Sequence, residues 1–130
     1  MRLFLVRHAE AAPGEPDALR ELTPAGQDQA RGLGMELAAN GIRPAAILTS
    51  PLIRARQTAE ALGSAVGVPV EVDERLAPGA TVDSLREAFD GRGETVLGVG
   101  HQPDLPRIAA ELTGGPPPDF PPAGIVAVEL

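Results

Sequence analysis

Cysteine, tryptophan, tyrosine and lysine are absent from this chain of 130 residues, and phenylalanine occurs only three times. The absence of cysteine excludes a disulfide framework, a thiolate nucleophile and a cysteine-based metal site. All eleven basic residues are arginines, which excludes a Schiff-base lysine and the lysine of a phosphate-binding P-loop. Since 43% of the residues are hydrophobic, we expect a folded core built from Ala, Val, Leu and Ile.

The formal net charge of −7 argues against a surface that binds nucleic acid or an anionic membrane. An anionic substrate would therefore have to be held by a local cluster of arginines. No apolar stretch approaches the length of a transmembrane helix, and Met1-Arg2-Leu3-Phe4 leads into a strand pattern rather than a signal peptide. We expect a single cytoplasmic domain over residues 1–130, monomeric because no feature requires an obligate interface.

Strand patterns and helix patterns alternate along the chain. Apolar runs predict five strands, at Arg2–Val6, Ala45–Thr49, Val68–Val72, Thr95–Val99 and Ile125–Leu130. Four helices are predicted between them: one capped by Thr23 and ended by Asn40-Gly41, one capped by Ser50 and Pro51, one capped by Thr81, and one opened by Pro103. This alternation predicts a three-layer α/β/α sandwich with a mostly parallel sheet. The long Gly114–Pro122 connection is rich in proline, so we expect the last strand to be an antiparallel edge strand.

Three segments carry polar side chains to the carboxyl ends of predicted strands, where ligands bind in such sheets. They are Arg7-His8, Ser50 to Arg54, and His101. His8 is the candidate nucleophile, because a neutral imidazole nitrogen can attack phosphorus and form a phosphohistidine. The alternative is a histidine that only hydrogen-bonds to a neighbouring loop.

Arg54 and His101 are the candidate ligands of a phosphoryl group. Arg54 is predicted in the first turn of its helix, where the macrodipole disfavours a cation unless an anion is bound there. A surface salt bridge is the alternative for this arginine. His101 follows Gly98-x-Gly100, whose missing side chains would allow the backbone to approach a ligand closely. The two histidines could also bind a metal, but no third ligand stands at suitable spacing, so we expect neither a metal nor another cofactor.

Three motifs resemble those of the histidine phosphatase superfamily, in the same order and across essentially the whole chain. They are Arg7-His8-Ala9-Glu10, the segment Ser50-Pro51-x-x-Arg54-Ala55-x-Gln57-Thr58-Ala59, and Val99-Gly100-His101-Gln102-Pro103. The small size and the Arg20-x-Leu22-Thr23-Pro24-x-Gly26 segment resemble its SixA-type phosphohistidine phosphatases. The resemblance implies that His8 becomes phosphorylated and that Arg7, Arg54 and His101 form the phosphate pocket. Arg20 is a further candidate for that pocket, with a loop surface charge as the alternative.

The chain departs from the superfamily pattern at two places. Ala9 stands where a glycine is usual. Larger members use a glutamate after the third strand as the general acid, in a segment rich in glycine and tryptophan. Here Glu74 is the candidate, and a solvated loop carboxylate is the alternative; Glu10 beside His8 is a second candidate. Because phosphohistidine can be protonated on nitrogen before it leaves, a site without a positioned acid would favour it over phosphate esters.

We therefore expect a metal-independent phosphohistidine phosphatase that acts on a protein such as a phosphotransfer domain. Short loops predict an open pocket, which suits a phosphorylated side chain of another protein better than a small metabolite. The alternatives are a small-molecule phosphomonoesterase that uses Glu74, and a non-catalytic phosphoprotein-binding module. His8 must be neutral to attack, and the surrounding cations should lower its pKa, so we expect a pH response between about 5 and 8.

Overall fold

The computed structural model describes residues 1–130, which form five strands and four α-helices. The strands are β1 (Arg2–Arg7), β2 (Ala46–Thr49), β3 (Val70–Val72), β4 (Thr95–Gly100) and β5 (Ile125–Glu129). The helices are α1 (Pro24–Ala39), α2 (Ile53–Val66), α3 (Val82–Phe89) and α4 (Asp104–Thr113). Two short 3-10 turns, Asp17–Leu19 and Glu74–Leu76, lie in the connections.

The sheet has the order β3-β2-β4-β1-β5. Strands β1, β2, β3 and β4 pair in parallel, whereas β5 pairs antiparallel with β1 at the edge. The predicted sandwich with an antiparallel edge strand is therefore confirmed. Since β1 and β4 are neighbours, the residues that follow them meet at one edge of the sheet.

The core has two halves, one on each face of the sheet, because successive side chains of a strand point to opposite faces. Leu3 and Leu5 of β1 pack in the cluster that α3 and α4 cover, while Phe4 and Val6 pack in the cluster beneath α1 and α2. The core is mainly aliphatic, as predicted, but all three phenylalanines also contribute to it. They are Phe4, Phe89 and Phe120, with 6%, 0% and 3% of their surface exposed.

Two predicted helix starts agree with the structure. The Thr23 side chain accepts a hydrogen bond from the Gly26 N–H, and Pro24 is the first helical residue of α1. Thr81 and Ser84 form a reciprocal capping box at the start of α3. Both arrangements satisfy backbone donors that the first helical turn leaves free.

Two predicted boundaries were wrong. Helix α2 is not capped by Ser50 and Pro51: it begins at Ile53, and no side chain caps it. The Ser50 hydroxyl lies instead 2.7 Å from His101 Nε2. Strand β3 begins only at Val70, because the Val68 N–H donates to the Gly63 carbonyl and so completes the end of α2.

Candidate active site

The sheet brings the two histidines together at the carboxyl edge of β1 and β4. Arg7 is in register with Gly100, and the His8 N–H donates to the Gly100 carbonyl. The rings of His8 and His101 are consequently 5.3 Å apart, centroid to centroid, and tilted by 53°. Neither histidine is an isolated strand-end residue, because each ring faces the other.

The hydrogen bonds of His8 identify its free nitrogen. Its Nδ1 lies 2.8 Å from the Ala9 carbonyl oxygen, which only accepts, so Nδ1 carries the hydrogen in the neutral ring. The lone pair is then on Nε2, where Arg54 Nε donates a long hydrogen bond of 3.4 Å. A nucleophilic nitrogen therefore faces the guanidinium of a candidate phosphate ligand.

The pKa of His8 is lowered from 6.5 to about 4. Burial is the largest cause because it penalises the imidazolium, and the positive charges of Arg54, Arg7 and Arg20 lower the pKa further. The hydrogen bond to the Ala9 carbonyl opposes this shift. The ring is therefore neutral at pH 7, as nucleophilic attack requires.

Arg54 is only 6% exposed although it lies in the first turn of α2. Its Nη1 donates to the Asp17 carbonyl oxygen at 2.9 Å, and its Nη2 donates to Asp17 Oδ2 at 3.1 Å. The expected alternative, a surface salt bridge, describes only part of this arrangement, because the same guanidinium also contacts His8. Asp17 was not singled out from the sequence.

Thr58 ties the loop after β1 to helix α2. Its hydroxyl donates to the Arg54 carbonyl at 2.8 Å and accepts from the Ala9 N–H at 3.0 Å, and the residue is fully buried. Thr58 thereby couples the loop after His8 to the backbone of Arg54. Its position one helical turn after Arg54 places it on the same face of α2, which the sequence could have indicated.

Arg7 is held by the proline-rich connection before β5. Its Nη1 donates to the Phe120 carbonyl at 2.9 Å, while its Nε is buried and has no partner. Burial lowers the pKa of this guanidinium. The Gly114–Pro122 segment thus holds Arg7 through the Phe120 carbonyl in addition to leading into the last strand.

His101 is 3% exposed, and its pKa is also lowered to about 4, mainly by burial and then by His8 and Arg54. Its Nε2 pairs with Ser50 Oγ, while its Nδ1 is buried without a partner. Because Ser50 Oγ already accepts from the Leu52 N–H, its own hydrogen is available to Nε2. When the Ser50 hydroxyl donates to Nε2, the ring hydrogen lies on Nδ1, which is then an unused donor.

The glycines before His101 have a different role from the predicted one. A Cβ at Gly98 would lie 3.1 Å from a ring atom of Phe89, and one at Gly100 would lie 3.2 Å from Leu105. Both glycines therefore make room for core side chains behind the sheet. The prediction that they admit a ligand was wrong.

Arg20 lies close to Arg54 through a shared partner. Its Nη1 donates to Asp17 Oδ1 at 3.0 Å, and its Nε donates to the Ala12 carbonyl at 2.8 Å. Its side chain is 28% exposed. Asp17 thus bridges Arg20 and Arg54, and Arg20 is more than a loop surface charge.

Neither candidate acid contacts the histidines. Glu74 is exposed in the turn after the edge strand β3 and makes no side-chain hydrogen bond or salt bridge. Glu10 accepts a hydrogen bond from the Thr23 hydroxyl at 3.0 Å, at the start of α1. Neither carboxylate therefore has a hydrogen bond or ion pair with His8, His101 or Arg54.

The main groove of the molecule does not include the two histidines. That groove, of about 640 Å³, runs between α1 and α2 and is lined by Leu22, Ile53 and Gln57 among others, without either histidine. A pocket next to His101 measures only about 10 Å³.

No group of three or more His, Cys, Asp or Glu side chains is arranged to hold a metal ion. No helix is long and apolar enough to span a membrane.

Comparisons with known proteins agree with this geometry. The family model of the histidine phosphatase superfamily (branch 1) matches residues 3–78. The chain is 33% identical to phosphohistidine phosphatase SixA of Escherichia coli (strain K12), covering 100% of this chain and 86% of SixA. The structure of the protein histidine phosphatase SixA complexed with tungstate matches with a TM-score of 0.90 at 32% identity, covering 100% of this chain and 88% of that one.

A second solved structure gives the same result. The putative phosphohistidine phosphatase SixA from Agrobacterium tumefaciens has a TM-score of 0.83 at 30% identity, and the match covers 97% of this chain and 89% of that one. The fold is thus that of the phosphoglycerate mutase-like α/β/α proteins. Within that class, the chain belongs to the histidine phosphatase superfamily.

Proposed function

We propose that this protein is a phosphohistidine phosphatase that works through a phosphorylated His8. The observation that carries the proposal is the state of His8, whose Nε2 lone pair faces a buried arginine on a ring kept neutral at pH 7. The 33% identity to SixA along the whole chain supports the substrate class. A non-catalytic binding module would need the arginines but would have no use for a nucleophile prepared in this way.

The proposed reaction has two displacements. His8 Nε2 attacks the phosphoryl group, and the bond between phosphorus and the substrate nitrogen breaks. Water then attacks phospho-His8 and releases inorganic phosphate. Each displacement gathers negative charge on the equatorial oxygens of phosphorus, so fixed cations and donors around them accelerate both.

The surrounding side chains are suited to hold that charge. Arg54 and Arg7 provide guanidinium groups, and Arg7 Nε and His101 Nδ1 are buried nitrogens without a partner. Buried donors rarely stay unpaired, because each costs about 1–3 kcal/mol of desolvation. We propose that both nitrogens gain an acceptor when a phosphoryl group binds and these side chains adjust toward it, since both are closed to solvent in the free site. We also propose that Arg20 contributes, since it shares Asp17 with Arg54.

The proposed substrate is phosphohistidine on another protein, such as a phosphotransfer domain, in cytoplasmic signal transduction. His8 is only half-buried and no deep cavity surrounds the histidines, so we propose that a phosphorylated side chain of a folded partner reaches it. We propose that residues 1–130 act as one monomeric domain, without a metal or other cofactor. The small-molecule phosphomonoesterase that uses Glu74 is not favoured, since Glu74 makes no hydrogen bond to a residue of the site and the chain is 33% identical to SixA.

Phosphate release from a phosphohistidine-bearing protein tests the proposal. The wild type and His8→Ala are compared with a chelator present, beside p-nitrophenyl phosphate as a simple ester. We expect release by the wild type to survive chelation and to exceed that from the ester, and His8→Ala to lose at least about a hundredfold. Equal rates for wild type and His8→Ala would refute the nucleophile, and cleavage of the ester alone would refute the substrate class.

A further inference from the structure

Asp17 forms ion pairs with Arg20 and Arg54, two of the arginines proposed to bind the phosphoryl group. Its Oδ2 lies 3.1 Å from Arg54 Nη2, and its Oδ1 lies 3.0 Å from Arg20 Nη1. Its backbone carbonyl takes a further hydrogen bond from Arg54 Nη1. Of the carboxylates in the chain, this is the one that contacts both arginines.

The position of Asp17 relative to His8 follows from their shared guanidinium. Arg54 donates from Nε to His8 Nε2 and from Nη2 to the Asp17 carboxylate. A phosphoryl group bound to Arg54 therefore lies within reach of both. The Asp17 side chain is 61% exposed and that of Arg54 is 8% exposed, so the carboxylate lies on the solvent side. In an in-line displacement the leaving group departs opposite the nucleophile, and a protein-borne substrate enters from solvent.

We propose that Asp17 is the general acid and base of this site, an inference that rests on the proposed phosphatase function. The other two candidates, Glu74 and Glu10, contact neither the histidines nor Arg54. The sequence suggested a site without a positioned acid. With Asp17 on the 3-10 turn Asp17–Leu19 as proton donor, the site has one. The acid comes from the loop after β1 rather than from the segment after β3.

Binding of the substrate should change the protonation state of Asp17. In the free site, hydrogen bonds from Arg20 and then from Arg54 hold the pKa of Asp17 below its usual value. A phosphoryl dianion that takes over those arginines removes this stabilisation of the carboxylate and adds a negative charge beside it. Both changes favour the protonated form. Asp17 thus becomes an acid only when a phosphoryl group is bound.

The proton and electron pairs balance over the two displacements. In the first, a bond forms between His8 Nε2 and phosphorus, the substrate bond to phosphorus breaks, and the leaving atom takes its electron pair and the proton of Asp17. In the second, water oxygen bonds to phosphorus, Asp17 accepts one water proton, and the electron pair of the phosphorus–nitrogen bond returns to Nε2. Phosphate leaves, and Asp17 gives up its proton as the arginines become free.

Asp17→Asn tests this role with esters of different leaving groups. Asp28→Asn is the matched control, because Asp28 also pairs with an arginine three residues later but lies on the exposed face of α1. Since kcat/KM reports the first displacement, we expect Asp17→Asn to lower it about a hundredfold for phenyl phosphate, a poor leaving group. For p-nitrophenyl phosphate, whose leaving group needs little protonation, the loss should stay below about tenfold.

Two further measurements separate catalysis from mere positioning of Arg54. With the phosphohistidine protein, Asp17→Asn should accumulate phospho-His8, because the second displacement lacks its base. Inhibition by tungstate should stay as strong or become stronger, since the competing carboxylate is gone. Equal losses for both esters together with weaker tungstate inhibition would overturn the proposal and leave Asp17 as a positioning residue.

The outcomes also distinguish this inference from the proposed function. If the wild type ignores phosphohistidine but Asp17→Asn shows the leaving-group dependence on esters, the substrate class fails and the role of Asp17 stands. If the wild type cleaves phosphohistidine and Asp17→Asn does so at the wild-type rate without accumulating phospho-His8, only the role of Asp17 fails. Asp17→Glu should restore part of the activity on phenyl phosphate, because a carboxyl group is again present.

Discussion

At the scale of single residues, the two histidines are kept neutral by burial and by the charges around them. A carbonyl oxygen fixes the hydrogen of His8 on Nδ1, and a buried hydroxyl pairs with Nε2 of His101. His8 thus offers a lone pair on Nε2, and His101 offers a donor on Nδ1 when the Ser50 hydroxyl donates to its Nε2. Each assignment depends on one hydrogen-bond partner, Ala9 or Ser50.

The pH dependence of kcat/KM follows from the pKa of His8. With a pKa of about 4, the nucleophilic form dominates throughout pH 5–8. We therefore expect kcat/KM to lose no activity through His8 protonation over that range and to fall about tenfold per pH unit below about 4. The fall in kcat/KM is therefore expected below the window of pH 5–8 that the sequence predicted. The sequence did not show the burial of His8, which is the largest cause of its lowered pKa. Initial rates with p-nitrophenyl phosphate from pH 3.5 to 8 measure it, and an acid limb centred near 6.5 would contradict the structure.

At the scale of elements, backbone hydrogen bonds join the two ends of the loop between β1 and α1. The Ala12 N–H donates to the Glu21 carbonyl, and the Thr23 N–H donates to the Glu10 carbonyl. Between these bonds, Ala11 and Leu22 form an antiparallel bridge. A Cβ at Gly26 would lie 2.0 Å from the Glu10 carbonyl oxygen. The start of α1 therefore packs against the backbone of Glu10, two residues after His8.

Two glycine substitutions in α1 test this packing. Gly26→Ala forces a clash with backbone, so we expect it to lower the free energy of unfolding by about 1–3 kcal/mol. Gly32→Ala, in the same helix with nothing within 4 Å of its new Cβ, should raise it by about 0.5–1 kcal/mol. Urea denaturation of both variants measures the difference. A Gly26→Ala protein as stable as Gly32→Ala would show that the loop can move away from the helix.

At the scale of the whole molecule, an acidic protein keeps a small basic site. The net charge is −7, yet Arg7, Arg20 and Arg54 meet around one histidine pair. The overall field opposes an anionic substrate, so recognition depends on contacts made at short range, where the desolvated arginines act most strongly. Burying these groups also ties the stability of the fold to pH.

Stability should decrease as the solution is acidified from neutral pH. His8 and His101 have folded pKa values of about 4 against 6.5 when unfolded, so the unfolded chain binds protons that the folded chain refuses. Their contribution is complete above pH 6.5 and is lost as pH falls from 6.5 to about 4. Urea midpoints at pH 7.5, 6, 5 and 4.5 should therefore fall steadily. His101→Gln should weaken this dependence, and a midpoint that rises toward pH 5 would contradict the shifted histidines.

Local sequence determined the order of the elements and the residues offered to the site. Apolar runs and caps such as Thr23 and Thr81 act over a few residues, so the layers, the antiparallel last strand and the positions of His8, Arg54 and His101 at strand or helix ends could be predicted. The histidine phosphatase motifs added the family. These features depend on near neighbours in the chain, which a sequence displays directly.

Only the tertiary structure decided which residues touch. It joined Asp17 to Arg54 across 37 positions and Ser50 to His101 across 51, set the glycines before His101 against the core, and left Glu74 without a hydrogen bond to the histidines. It also set the pKa values of both histidines, because burial is a property of the assembled layers. Contacts between residues far apart in the chain come from the packing of the sheet and helices, which no local pattern encodes.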